Sequence, residues 1–152
     1  MTTWLMKSEP SEYSIIDLAR DGQSSWFGVR NYLARNYMRD MMQVGDRVLF
    51  YHSSCPVPGI YGLAEVVSAP HPDETQYEVG WDYYDLRATP EKPIWYCVDV
   101  GYVATFARPL TLTMIRDMPG LETMRILQKG NRLSITPVSD EEWAILETMI
   151  GV

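Results

Sequence analysis

What most constrains this chain is a succession of short apolar runs that do not alternate with polar residues. Trp4 to Lys7, Arg47 to His52, Gly59 to Val67, Ile94 to Val100 and Arg132 to Ile135 all read as strands, with helix and turn signals inserted between them. Short strands of this kind, interrupted by helices, fit an α+β chain built around a small, partly open barrel. Ser14-Ile15-Ile16-Asp17 has the form of a capping box with Asp in place of Glu, opening a short helix through Ala19 that Gly22 ends. A second helix is expected from about Asn31 to Met42, with Ala34, Tyr37, Met38 and Met41 at buried-face spacing and Arg35 and Arg39 on another face. Further helices are expected over Thr111–Met118 and Leu121–Gln128. Ser139-Asp140-Glu141-Glu142 caps a C-terminal helix carrying Trp143, Leu146 and Ile150. Residues 70–94 hold Pro70, Pro72, Pro90 and Pro93 and read as a long surface excursion, because strand residues resume at Ile94.

With 152 residues and 46% hydrophobic content, one domain over residues 1–152 is expected. A chain of this size buries roughly 70% of its unfolded surface. No apolar run approaches the ~20 residues of a membrane span, and the N-terminus reaches Lys7 too soon for a signal peptide. Cys55 and Cys97 stand far apart, with only His52 and His71 as further candidate ligands, so neither a zinc site nor a disulfide is expected. Free thiols point to the cytoplasm. The net charge of −7 falls entirely after residue 60, and Asp73, Glu74, Glu78, Asp82 and Asp85 form an acidic stretch without a basic residue between them. Such a chain resists non-specific binding along a phosphate backbone. It can still take a single base into a pocket whose mouth is locally basic.

The first strand ends abruptly in a cation, a hydroxyl and a carboxylate, Lys7, Ser8 and Glu9, and Pro10 denies it a further ladder donor. Reading one extruded base needs an aromatic plane and a few donors and acceptors for its edge. Trp26 is a candidate for that plane, with a core role as the other reading. Asn31 carries a donor and an acceptor side by side, and it also suits an N-cap. Lys7 and Ser8 are candidates for base or phosphate contact, with an ion pair to Glu9 as the alternative for Lys7. Ser53 and Ser54 offer hydroxyls past a strand end. His52 reads either as a contact or as a structural hydrogen-bonder. Arg30, Arg35 and Arg39 form a basic lip or a solvated helix face. Trp81, Tyr83 and Tyr84 are candidates for a lid over the cleft, whereas Trp4, Trp95 and Trp143 read as core.

Trp4 to Pro10, Trp26-x-Gly28-Val29-Arg30-Asn31-Tyr32, Ala34-Arg35-Asn36, Phe50-Tyr51-His52-Ser53, Pro58-Gly59-Ile60, Trp95-x-x-Val98-Asp99-Val100 and Arg132-Leu133-Ser134 together resemble the EVE-domain family over essentially the whole chain. The chain departs from the family pattern at Phe27, Leu33 and Thr136. The resemblance implies a PUA-like fold, a mixed β-barrel with flanking helices, related to YTH and ASCH domains. It also implies binding of a modified base in DNA or RNA. By likeness to YTH domains, Trp26 becomes one wall of a methyl-base cage.

The expected base-binding set is then Lys7, Ser8, Trp26, Val29, Arg30, Asn31, Tyr51, His52, Ser53 and Ser54. Arg35 and Arg132 are expected at phosphates, and Trp81 and Tyr84 at a lid. The expected molecule is a monomeric reader of a modified nucleobase, in a nucleic acid or as a free nucleotide. It is not expected to be an enzyme, nor to use a cofactor or metal. The alternative is a small ASCH-like amidohydrolase on a modified nucleoside, with Lys7 and Glu9 as base and acid. No nucleophile–His–acid arrangement supports it. A third reading, an interaction adaptor, requires a large apolar surface instead of a pocket.

Overall fold

The first strand, β1 (Thr3–Ser8), lies inside a sheet: it runs parallel to β3 (Arg47–His52) on one side and antiparallel to β8 (Ile135–Val138) on the other. The computed structural model describes residues 1–150. The full sheet has six strands in the order β2 (Gln23–Ser25), β7 (Asp99–Thr111), β4 (Gly59–Val66), β3, β1, β8. It curls strongly into a half-barrel flanked by helices, so the chain is mixed α+β as the sequence predicts. A two-stranded ribbon of β5 (His71–Pro72) and β6 (Tyr96–Cys97) ties the ends of the excursion together.

Successive side chains of a strand point to opposite faces, and here both faces are covered. Trp4, Met6, Val48, Phe50, Ala64 and Val66 pack beneath α1 (Ile15–Asp21) and α2 (Tyr32–Asn36). Leu5, Leu49, Tyr51, Ile60 and Leu110 pack on the other face with α3 (Leu112–Asp117) and α4 (Asp140–Ile150). That double burial is why the runs do not alternate. Gly62 lets α1 sit directly on β4, since a Cβ there would lie 2.5 Å from the Ala104 carbonyl and 2.6 Å from the Ile15 side chain. Both capping boxes form: Ser14 with Asp17, and Ser139 with Glu142.

Four expectations are corrected. The second helix is not α-helical to Met42, because α2 passes into a π-turn over Tyr37–Met41 closed by the Met42 N–H on the Tyr37 carbonyl at 2.9 Å. A π-turn holds one residue more than an α-turn. The buried position therefore moves from Met41, 56% exposed, to Met42, 5% exposed. The run Ile94–Val100 is not one strand: it breaks at Val98, between the ribbon and the 13-residue β7. Leu121–Gln128 forms turns and one 3-10 turn over Arg125–Leu127 instead of a helix. The last strand begins at Ile135, not Arg132, and contains Pro137, which an edge strand tolerates.

Candidate functional site

At the carboxyl end of β1 the half-barrel opens into a cavity of about 490 Å³. That size is within the range of small-molecule sites. β1 contributes Lys7 and Ser8, and the turn beyond it contributes Glu9 and Glu12. β2 and the loop after it supply Ser25, Trp26, Phe27, Gly28 and Val29. The excursion crosses the opening with Thr75, Trp81 and Tyr83, and Ser53, Arg132 and Ser134 complete the rim.

Trp26 is both wall and core. The residue is 9% exposed, its ring meets Phe50 edge-on at 5.4 Å, and it also lines the cavity. The two readings of this residue are therefore compatible. Parallel pairing of β1 with β3 brings Ser8 and Ser53 together, with the Ser53 N–H donating to the Ser8 carbonyl at 3.0 Å. The Lys7 backbone N–H donates to the Ser134 carbonyl at 2.8 Å. Its ammonium has no carboxylate partner among the described residues, and burial lowers its pKa. The predicted alternative of a Lys7–Glu9 ion pair does not form. Arg132 is exposed and lines the cavity together with Glu9 and Glu12, so the rim carries both signs of charge.

The wall made by the excursion is held by one buried carboxylate and one saturated guanidinium. Asp73, fully buried, accepts from the Gly28 N–H at 2.8 Å, from Arg30 Nη1 at 3.1 Å and from the Thr75 N–H at 2.9 Å. Arg30 also donates to the carbonyls of Val29 and Tyr83 and to the Thr75 hydroxyl. All five guanidinium N–H groups are thereby used. Arg30 lines the cavity yet has no donor left for a phosphate or a base; its geometry is that of a clamp between the Trp26–Asn31 loop and the excursion. Beneath this clamp, Gln76 is fully buried with its amide donating to the Asp73 and Trp95 carbonyls and its oxygen accepting from the Ile94 and Trp95 N–H groups.

Six of the expected site residues lie elsewhere. Tyr51 faces the opposite side of the sheet from Phe50, as strand alternation requires, and burial pushes its phenol up to about 12. His52 stacks on Tyr61 and accepts from the Ile15 N–H at 3.1 Å through Nε2, which assigns its proton to Nδ1. Burial lowers the His52 pKa, consistent with the neutral ring. Asn31 is the N-cap of α2, its oxygen accepting from the Ala34 N–H. Arg35 donates to the Ile94 carbonyl and lies over Tyr32, which stacks on Trp95. Ser54 and Tyr84 do not line the cavity. Of the two tyrosines put forward for the lid, Tyr83 lines the cavity and Tyr84 does not.

Among the cavity residues that the sequence did not reveal are Phe27, Ser25, Thr75, Glu12 and Ser134. The wall residue Tyr83 has a legible partner. Gly28 has φ +84°, and a Cβ there would lie 2.7 Å from the Tyr83 ring. Gly28→Ala is therefore expected to destabilise the chain by about 1–3 kcal/mol and to shift Tyr83 off the cavity wall. Thermal unfolding reads the first effect and tyrosine ring NMR shifts read the second. An alanine variant with wild-type stability and unmoved Tyr83 resonances would contradict the contact.

Cys55 and Cys97 are free thiols, and burial pushes the Cys97 thiol up. Among the described residues no three His, Cys, Asp or Glu side chains are grouped to hold a metal, and no helix is long and apolar enough to cross a membrane.

The EVE domain model matches residues 2–149. Among solved structures, a protein from Pseudomonas putida is 49% identical with a TM-score of 0.93, over 97% of this chain and 99% of that one. Human THYN1 protein, in complex with 5-methylcytosine containing DNA, is 35% identical with a TM-score of 0.90, over 100% of this chain and 99% of that one. Human thymocyte nuclear protein 1 is 38% identical over an alignment that covers 92% of this chain and 70% of that protein. The match to the chicken protein of the same name spans 65% of its length. An ASCH protein of Zymomonas mobilis, 12% identical with a TM-score of 0.58, shares the fold alone.

Proposed function

This chain belongs to the EVE-domain family, and on that premise we propose that it captures a modified nucleobase from a nucleic acid, by recognition without chemistry. The observation that carries this reading is the cavity at the end of β1, walled by the largely buried ring of Trp26 and edged by Lys7, Ser8, Ser25 and Ser53. A base turned out of its stack presents a π-face and a polar edge, and the cavity offers a partner for each. The human relative's complex with 5-methylcytosine containing DNA supports the same reading. One chain supplies every wall, which suits a monomer. The exposed Arg132 and the Lys7 ammonium, which has no carboxylate partner among the described residues, suit the phosphates beside the captured base. Free thiols suit a reducing compartment such as the cytoplasm.

The test is a titration of labelled oligonucleotides, identical except for cytosine or 5-methylcytosine and related modified bases, at one fixed salt concentration. Saturable binding that favours at least one modified base is expected. Lys7→Ala should weaken it and reduce the salt slope by about one counterion. Equal affinity for every base in the panel would sink the proposal.

The second reading, an amidohydrolase, draws on the same lysine. Burial lowers the Lys7 pKa, the direction that suits a general base, and Glu9 shares the rim. Turnover of modified nucleosides that vanishes in Lys7→Ala would favour it; binding of the nucleoside without turnover would dismiss it.

A further inference from the structure

Three hydroxyl protons around the cavity, those of Ser8, Ser25 and Thr75, are committed. Ser8 Oγ donates to the Tyr13 carbonyl at 2.6 Å, an oxygen that can only accept. Ser25 Oγ lies 2.6 Å from Asp99 Oδ1, which also meets His71 Nε2 at 2.8 Å. Burial by itself raises the Asp99 pKa, but hydrogen bonds from Ser25 and His71 and the charge of His71 outweigh it and hold the carboxyl below its usual value. An ionised carboxylate forces the proton between the two oxygens to come from Ser25. The Thr75 hydroxyl likewise donates to Asp73, and it accepts from Arg30. A hydroxyl has one proton and two lone pairs. Each of these groups therefore turns only lone pairs toward a ligand. On the same walls the Lys7 ammonium, the Trp26 indole N–H and the hydroxyls of Ser53, Tyr83 and Ser134 have donors without a partner among the described residues, so the acceptor character is local to Ser8, Ser25 and Thr75.

We infer that Asp99, backed by His71, is a positioning residue that fixes Ser25 as an acceptor, so that the cavity selects bases presenting an exocyclic amino group over those presenting a keto oxygen at the same place. This rests on the base-capture reading above. A keto oxygen in that position would face the lone pairs of Ser25 without a proton to share, and a desolvated acceptor left unpaired is costly. An amino group finds an acceptor already oriented.

5-Methylcytosine and thymine make the test clean, because they share the ring and the methyl group and differ by amino against keto. Single-stranded oligonucleotides carrying one or the other at a single position are titrated with wild-type protein, Asp99→Ala and Ser25→Ala. Thermal unfolding confirms that each variant is folded. Wild-type protein should favour 5-methylcytosine by roughly tenfold or more. Ser25→Ala should lower the ratio by losing affinity for 5-methylcytosine. Asp99→Ala frees the Ser25 proton to meet either edge, so it should lower the ratio by gaining affinity for thymine. That gain is a result that mere structural damage would not give. If Asp99→Ala does not fold, the Ser25→Ala ratio decides. Wild-type protein that separates 5-methylcytosine from cytosine but not from thymine overturns the inference, as does a ratio unchanged in the folded variants; both leave base capture standing. Absence of any modified-base preference overturns base capture itself.

Discussion

Asp73→Ala is expected to remove about 3–5 kcal/mol of folding stability and to abolish binding at the cavity. The carboxylate is fully buried and is the one group that touches the Gly28 N–H, the Arg30 guanidinium and the Thr75 N–H together. Deleting it leaves the Arg30 charge, 21% exposed, without its only carboxylate among the described residues, and it strands two backbone donors. Uncompensated buried groups of this kind dominate the large effects of single substitutions. The consequence for the site follows from position. Arg30 holds the Tyr83 carbonyl through two donors, so loosening the guanidinium releases the wall that faces Trp26. Equilibrium unfolding in urea measures the stability term. A loss below about 1 kcal/mol would show that solvent readily replaces the carboxylate, and the clamp would then be no support for the cavity.

How much of this was legible depends on how local the signal is. Capping boxes at Ser14 and Ser139 are read from four residues each, and both form. The strand over Arg47–His52 is read from its own composition and is found at those bounds. The π-turn is different: what moves burial from Met41 to Met42 is packing of the helix on Trp4 and its neighbours, which no periodicity records. The extent of β8 is hidden in the same way, because only the sheet order reveals that it is an edge able to hold Pro137.

At the site, Lys7, Ser8 and Trp26 could be singled out because a strand end and a Trp beside a glycine are features of the chain itself. Tyr51 could have been set aside by counting two from Leu49, since the alternation of β3 places both on the face away from the cavity. Thr75 and the Asp73 clamp could not be found that way. They reach the cavity through contacts spanning more than forty residues, and sequence alone gives no distance between a loop and an excursion.

The last expectation concerns Trp26, where core and ligand roles coincide and a single truncation confuses them. Trp26→Ala should lose roughly 5- to 150-fold in affinity for the preferred oligonucleotide, the worth of one stacked base. It should also lose about 3–5 kcal/mol of stability, because the ring packs edge-on against Phe50. Two further variants separate these effects. Trp26→Phe keeps an aromatic plane, and Trp26→Leu keeps apolar contact with Phe50 but has no π-face. If stacking holds the base, Phe should bind within several-fold of wild type while Leu, though folded, binds as poorly as Ala. Comparable binding by folded Phe and Leu variants would reduce Trp26 to a core residue that happens to border the cavity. The base would then have to be held by its edge alone, through Lys7 and the serines. Because that edge is polar and open to water, hydrogen bonds there contribute only about 0.5–1.5 kcal/mol each, too little without the ring to hold one base out of its stack.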